Sequence, residues 1–249
     1  MMDTVITSRK NPRIQQLRRL LSSRKEREQT GLFVSDGTKL LQEAIRWWPG
    51  LETVFLTEDV EIQLPDSVEK VMVAPEIMEY VSPMQSPQGA LFVCRLPQKQ
   101  EFCPQKGMIL LDGIQDPGNV GTILRTADAL DVPVALLEGC ADPYSHKVVR
   151  SSMGAVFRTP PVQTTWETAS AAFEKTGIPV AVTALTDTAL DIRTAALPEM
   201  AVVIGSEGQG VRQQILEKAN HQLIIPMNPN CESLNAAVAA AIVMWQMKQ

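Results

Sequence analysis

The sequence predicts an α/β protein: a parallel sheet covered by helices on both faces, preceded by a small N-terminal α/β domain. Three observations lead there. Beyond residue 107, short continuous apolar runs alternate with stretches of helical periodicity, the pattern of strands buried on both faces. Residues 1–95 carry a shorter α/β pattern of their own. Between the two, residues 96–106 are polar, hold Pro97 and Pro104 and show no periodicity, which marks a linker before a second domain over 107–249. A chain of 249 residues has room for two such cores, and a composition 45% hydrophobic and 20% charged is ordinary for globular domains.

Each element has a local reason. Asn11-Pro12 is an N-cap followed by a first-turn proline, and Ile14, Leu17, Leu20 and Leu21 recur at helical spacing, so a helix is expected over 11–29. Leu32-Phe33-Val34 is a short strand ended by the turn at Gly37. Residues 39–48 form a helix stopped by Pro49-Gly50. Residues 53–57, 71–74 and 90–94 are strand-like. In the second domain, strands are expected over 108–111, 133–137, 179–184, 201–204 and 223–225. Helices are expected over 120–130, 144–152, 166–175, 209–219 and 233–247. Parallel sheets bind ligands beyond the carboxyl ends of their strands, and three polar loops in this domain each follow a strand.

Composition narrows the function. No apolar run approaches the ~20 residues of a membrane span, and the first ten residues contain no apolar signal-like core. Cys94, Cys103, Cys140 and Cys231 are scattered without a C-x-x-C pair, and with two histidines no metal site is expected. A reducing cytoplasm is the expected location. The net charge of −5 hides an asymmetry, because the first fifty residues hold ten Lys/Arg against five Asp/Glu. Arg9, Lys10, Arg13, Arg18 and Arg24 are candidate RNA contacts, since a local basic stripe neutralises phosphates whatever the total charge. A solvated helix face is the alternative. Lys147 and Arg150 lie within about a turn of Ser151 and could hold a phosphate.

Asp116-Pro-Gly is a turn signal and Asn119 can cap the helix that follows. Val120, Ile123, Leu124 and Ala127 share its core face, whereas Arg125 falls on another face with Thr122, Thr126 and Ala129. Taken alone, a capping asparagine and a solvated arginine would account for this. Gly205-Ser-Glu-Gly-Gln-Gly210 is spaced G-x-x-G-x-G, unlike the dinucleotide fingerprint, and comes after several strands. Its glycines allow close backbone approach to a ligand. Glu207 would repel a pyrophosphate and suits a ligand with hydroxyls, an amine or a sulfonium; a plain turn is the competing view. Ser233-Leu-Asn235 opens an Ala-rich helix, with Ser233 a ready N-cap. That helix is apolar nearly all round. Leu234, Val238, Ile242 and Trp245 lie on one side, and Ala236, Ala239, Ala240 and Val243 on another, so it is either a core helix or one that meets a second subunit. His146 is a weaker candidate base, since a lone histidine is more often simply hydrogen-bonded.

Three segments in this order, Asn119–Arg125, Gly205–Gly210 and Ile225–Asn235, together with Arg150-Ser-Ser-Met-Gly-Ala155, resemble the SpoU (TrmH) branch of the SPOUT methyltransferases over residues 108–247. More loosely, the N-terminal part, including Ser86-Pro-Gln-Gly89, is similar to the RNA substrate-binding domain of the rRNA-modifying members. The resemblance implies a C-terminal trefoil knot, a homodimer formed through the C-terminal domain, and transfer of a methyl group from S-adenosylmethionine to an RNA ribose 2′-hydroxyl without a metal. It implies a cofactor site from Thr183, Ala184, Leu185, Gly205, Glu207, Gly208, Ile225, Met227, Ser233 and Leu234. The chemistry would fall to Arg125, Asn119, Glu207, Ser233 and Asn235. Ribosomal RNA of the large subunit (23S) is the favoured substrate, with transfer RNA or a catalytically silent RNA-binding role as alternatives; the glycine spacing disfavours a nicotinamide oxidoreductase. The chain departs from the family where members often have Gly in place of Pro229 and Asp131, and Glu in place of Asp36.

Overall fold

The computed structural model describes residues 5–186, 188–206, 208–228, 230–231 and 233–249; Glu207 and Pro229 therefore lie outside the described residues. Along the chain come α1 (Pro12–Ser22), α2 (Arg24–Thr30), β1 (Leu32–Asp36), α3 (Thr38–Trp47), β2 (Leu51–Leu56), β3 (Glu69–Met72), α4 (Pro75–Val81) and β4 (Ala90–Arg95). They are followed by β5 (Ile109–Asp112), α5 (Pro117–Leu130), β6 (Val134–Leu136), α6 (His146–Ser151), α7 (Ala155–Arg158), β7 (Val162–Gln163) and α8 (Trp166–Thr176). The last elements are β8 (Val180–Thr183), β9 (Leu190–Asp191), β10 (Ala201–Gly205), α9 (Gln213–Leu216), β11 (His221–Ile224) and α10 (Ala236–Gln246). The chain forms two compact units. One holds Met1–Gln98 and Tyr144–Arg158, the other Lys99–Pro143 and Thr159–Gln249.

In the first unit the strands run in the order β1-β4-β2-β3, with β4 antiparallel to both neighbours and β3 parallel to β2. Alternate side chains serve two cores, as strand geometry requires. Val34, Phe55, Leu91 and Val93 point toward Ile14, Leu17 and Ile77 of α1 and α4. Phe33, Val54, Phe92 and Cys94 point toward Leu41 of α3 and Val149, Val156 and Phe157 of α6 and α7. Tyr144 packs its ring 5.2 Å from Phe33, and Phe157 lies 5.7 Å from Trp48. Each such buried aromatic contributes about 1.5–3 kcal/mol. That is why residues 144–158 belong with the first unit, although the sequence boundaries place them in the second domain.

The single helix expected over 11–29 is two. Ser23 leaves the helical region (φ −124°, ψ 115°) and its hydroxyl accepts from the Glu26 N–H, capping α2. The break lets Arg27, only 5% exposed, donate to the Leu20 carbonyl at 2.6 Å. The sequence reading did not include α4, α7, β7 or β9, all of them short.

In the second unit the sheet order is β7-β6-β5-β10-β8-β11-β9, and every pairing among these described strands is parallel. This is the predicted fold class. The inner strands are almost wholly apolar and buried, for example Ile109-Leu110-Leu111 and Ala201-Val202-Val203-Ile204. Late strands insert between early ones: β10 sits between β5 and β8, and β11 between β8 and β9. Two helices start later than expected. The 209–219 helix shrinks to α9, because Ser206 and Gly210 close a loop on each other through paired backbone hydrogen bonds of 3.2 and 2.8 Å. The 233–247 helix begins at Ala236, capped by Asn235 and not by Ser233.

Candidate functional site

The loops after β8, β10 and β11 and the start of α10 enclose a cavity of about 780 Å³ at the carboxyl ends of the strands. That volume falls in the range of about 300–1,000 Å³ typical of small-molecule sites. Thr183, Ala184, Leu185, Gly205, Ile225, Met227, Ser233 and Leu234 all line it. Gly208 does not line it, because it lies at the turn of the closed Ser206–Gly210 loop; Glu207 lies outside the described residues. Gly205 is demanded sterically. A Cβ there would stand 2.1 Å from the Gly210 carbonyl carbon and 2.3 Å from the Val211 nitrogen.

The lining chemistry discriminates between ligands. Among the described residues no Lys or Arg lines the cavity, so a pyrophosphate would find no counter-charge there. Apolar Ile204, Leu216, Leu223 and Leu234 offer a surface for an aromatic base, Ser206 and Gln213 offer polar groups, and Glu217 offers a carboxylate for a cationic ligand. Thr186 donates to Gln222 at 2.6 Å within the same lining. This set fits S-adenosylmethionine, which combines an adenosine with a sulfonium and an amino acid.

The first and third motifs meet beside the cavity. Asp116, not Asn119, caps α5: its carboxylate accepts from the Asn119 N–H at 2.8 Å, and Pro117 takes the first helical position. Asn119 is thus inside the first turn, where its side chain is available for Asn235, whose Nδ2 donates to Asn119 Oδ1 at 3.0 Å. Asn235 Oδ1 meanwhile accepts from the N–H groups of Ala237 and Val238 at 3.0 and 3.3 Å. Helix α10 packs on α5 and β10 through Ala236, Ala240, Val243 and Met244, whose mostly small side chains permit close approach. Arg125 sits on the exposed side of α5, does not line the cavity, and its side chain makes no hydrogen bond or ion pair among the described residues. Its neighbours on that side, Thr122 and Ala129, are exposed too.

One group of residues was not singled out in the sequence. Asp112, 1% exposed at the end of β5, takes two hydrogen bonds from Arg212: the backbone N–H to Oδ2 at 2.8 Å and Nε to Oδ1 at 2.6 Å. Arg212 Nη2 continues to Glu138 Oε2 at 2.9 Å. Desolvation opposes the charge on Glu138, but its own backbone N–H, Arg212 and the Trp166 N–H together hold its carboxyl below the ordinary range. The signal available was an acid ending an otherwise apolar strand. Nearby, burial pushes the Cys140 thiol up to about 11, which keeps it neutral. Among the described residues no three His, Cys, Asp or Glu side chains gather as a metal site.

The basic candidates lie in the first unit. Arg9 and Arg18 place their guanidinium carbons 4.6 and 4.5 Å from the centre of the Tyr80 ring, and Arg18 also bonds the Tyr80 hydroxyl. Arg13 pairs with Glu69 at 2.8 Å and Arg24 with Glu28 at 2.7 Å, so both are partly neutralised. Arg150 reaches Asp36 at 3.8 Å and contacts the Met84 sulfur. Lys10 and Lys147 are exposed. His146 does not line the cavity.

Known proteins resemble this chain over nearly its full length. The model of the SpoU rRNA methylase family matches residues 106–245, and that of an MRM3-like substrate binding domain matches residues 11–91. The 23S rRNA (guanosine(2553)-2′-O)-methyltransferase RlmP of Bacillus subtilis (strain 168) is 33% identical over 248 residues, covering 98% of each chain. Among solved structures, an RNA 2′-O ribose methyltransferase superposes with a TM-score of 0.80 at 29% identity, covering 98% of both chains. An AdoMet-bound rRNA methyltransferase from Sinorhizobium meliloti superposes with a TM-score of 0.86 at 25% identity, covering 98% of this chain and 97% of that one.

Proposed function

The chain belongs to the SpoU rRNA methylase family, and we propose that it transfers a methyl group from S-adenosylmethionine to a ribose 2′-hydroxyl of 23S ribosomal RNA, using the cavity behind β8, β10 and β11. It is an S-adenosylmethionine-dependent RNA 2′-O-ribose methyltransferase. The observation that carries the assignment of the site is the convergence of three separate loops on one cavity, with Asn119 and Asn235 hydrogen-bonded at its edge.

When bound, S-adenosylmethionine supplies a methyl group already activated on a sulfonium. The protein's task is then alignment and help for a weakly acidic hydroxyl. Gly205, Ile225, Met227 and Leu234 hold the donor, with Thr183, Ala184, Leu185 and Ser233 closing the walls. A guanidinium is charged at any physiological pH and has no acceptor. Arg125 therefore stabilises negative charge that develops on the 2′-oxygen, or clamps the adjacent phosphate. Its exposed place on α5 leaves it open to an RNA sugar. Asn119 and Asn235 orient the nucleotide, and Glu207 positions Asn119, Arg125 or the ribose.

The first unit serves as the RNA substrate-binding domain, with Arg9, Lys10, Arg13, Arg18, Arg24, Lys147 and Arg150 as phosphate contacts. Val238, Ile242 and Trp245 expose an apolar stripe on α10, and Trp245 is 61% exposed. This supports a homodimer through the C-terminal domain. The insertion of β10 and β11 between earlier strands supports a trefoil knot in the segment that follows. Among the described residues no helix is long and apolar enough to cross a membrane; a cytoplasmic location accompanies the proposed substrate.

The test is a map of ribose methylation in cells lacking the chain, restored with wild-type protein or with Arg125→Ala. Loss of one 23S rRNA methylation that wild type restores and Arg125→Ala does not is the expected result. A change confined to transfer RNA, or no change at all, would overturn the substrate assignment.

A further inference from the structure

Arg212 and its two carboxylate partners are absent from the chemistry above, yet they sit where the wall of the cavity is set. Asp112 ends β5 in register with Gly205 at the end of β10. From Gly205 the chain runs out and returns, and Ser206 and Gly210 bond to each other. Gly210 and Val211 come back against Gly205 closely enough to exclude a Cβ. Arg212 is the next residue, and α9 begins directly after it.

One residue therefore engages both oxygens of a buried carboxylate, one through its main chain and one through its side chain. The main-chain bond fixes the path of the backbone at the loop's exit, and the side-chain bond fixes its orientation. The second arm of the guanidinium reaches Glu138 after β6, which also accepts from the backbone N–H of Trp166 at the start of α8. The end of β5 and the segments that follow its neighbours β6 and β10 are thus tied through one planar fork. Arginine suits this position because its donors lie in a rigid plane, whereas a lysine ammonium is a single point. The residues so held on either side, Gly205, Ser206, Gly210, Val211 and Gln213, line the cavity.

We infer that Arg212 is a positioning residue for methyl-donor binding: clamped between Asp112 and Glu138, it holds Gly210, Val211 and the start of α9 against Gly205 and Ser206 in the shape that receives S-adenosylmethionine. The inference rests on the cavity being the donor site. Arg212 does not line the cavity, and its effect falls on affinity.

The experiment combines calorimetry with S-adenosylmethionine and thermal melting on the same full-length samples of wild type, Arg212→Lys, Arg212→Ala and Glu138→Gln. Arg212→Lys keeps a positive charge opposite Asp112 and the backbone hydrogen bond but loses the fork. It is expected to melt within about 2 °C of wild type while its Kd rises roughly 3- to 10-fold. Glu138→Gln, at the more exposed end, is expected to weaken binding about 2- to 5-fold with the same small change in melting. Arg212→Ala strands a buried carboxylate, so it is expected to lose both stability and affinity. Wild-type affinity in Arg212→Lys and Glu138→Gln, or an affinity loss that only follows the loss of melting temperature across the series, overturns the inference. Absence of donor binding in wild type overturns the reading of the cavity itself, which is a separate result.

Discussion

Asn235 closes the start of α10 with its carbonyl oxygen and reaches Asn119 of α5 with its amide nitrogen, at 3.0 Å. The orientation of its amide is fixed by chemistry, since only the oxygen can accept from the Ala237 and Val238 N–H groups. The nitrogen is then committed to Asn119. Two functions of one side chain can thus be separated. Asn235→Asp keeps an acceptor for the helix and loses the donor to Asn119. It is expected to melt within about 2 °C of wild type while methyl transfer falls by tenfold or more. Asn235→Ala loses the cap as well, about 1 kcal/mol, and is expected to melt about 2–4 °C lower. Melting curves and a radioactive methyl-transfer assay read both; a fully active Asn235→Asp would remove Asn119 from the site.

Gly205 tests the wall of the cavity. An alanine methyl there meets backbone, not a flexible side chain, so Gly210 and Val211 must move. Gly205→Ala is expected to weaken S-adenosylmethionine binding by more than about tenfold, which is about 1.4 kcal/mol. Titration calorimetry reads this directly, and unchanged affinity would show that the donor does not use this wall.

Asp131 ends α5 in the left-handed region at φ 51°, ψ 53°, a conformation that disfavours side chains by roughly 1–2 kcal/mol. Its carbonyl accepts from Lys248 Nζ at 2.9 Å, a bond that glycine would retain. Asp131→Gly is expected to gain about 0.5 kcal/mol once the greater freedom of the unfolded glycine is offset. That is a rise of about 1–2 °C in melting temperature. Asp131→Ala is expected to shift it downward, and the opposite order would contradict the conformational argument.

His146 gives the first unit a pH dependence. Burial holds its imidazole below the ordinary range, with Lys147 and Arg27 acting in the same direction and a Leu21 backbone hydrogen bond and Asp36 opposing. The fold therefore favours the neutral ring. Its contribution is present above the unfolded value of about 6.5 and is lost as pH falls through the folded value. Asp36 acts in the opposite sense: burial raises its carboxyl, so its contribution is present below the unfolded carboxylate range and lost as pH rises through the folded value. A difference measurement reports the histidine together with its coupling to Asp36. Between pH 7.5 and 5.5, wild type is expected to lose more melting temperature than His146→Asn. Parallel curves would rule the imidazole out.

The fold class was legible because its strands announce themselves. Runs such as Met108–Leu111 and Ala201–Ile204 are uniformly apolar, too short for a helix, and alternate with helical stretches, which together mark a sheet covered on both faces. The short elements were not legible: β7 and β9 are two residues each, and a pair of residues carries no period. The segment 144–158 was assigned by its order along the chain, whereas Tyr144 and Phe157 follow the aromatic cluster around Phe33. At the site, the loops could be read from glycines and polar residues after strands. The cap falls on Asp116 and not on Asn119; both are good caps, and only Pro117 at the first helical position decides between them. The Asp112–Arg212 bond joins residues a hundred positions apart, and no local pattern encodes it.

The order of the strands also has a consequence for synthesis. Because β10 and β11 take places between strands made before them, and residues 233–239 supply part of the cavity, the methyl-donor site cannot form until residue 239 has been made. The first unit is complete once residues 144–158 have followed its main segment, still well before that point, and domains tend to fold as they appear. Nascent chains therefore carry the features proposed to recognise RNA while they have no means of modifying it. A product terminated between residues 158 and 233 would hold the proposed RNA contacts without the proposed donor site.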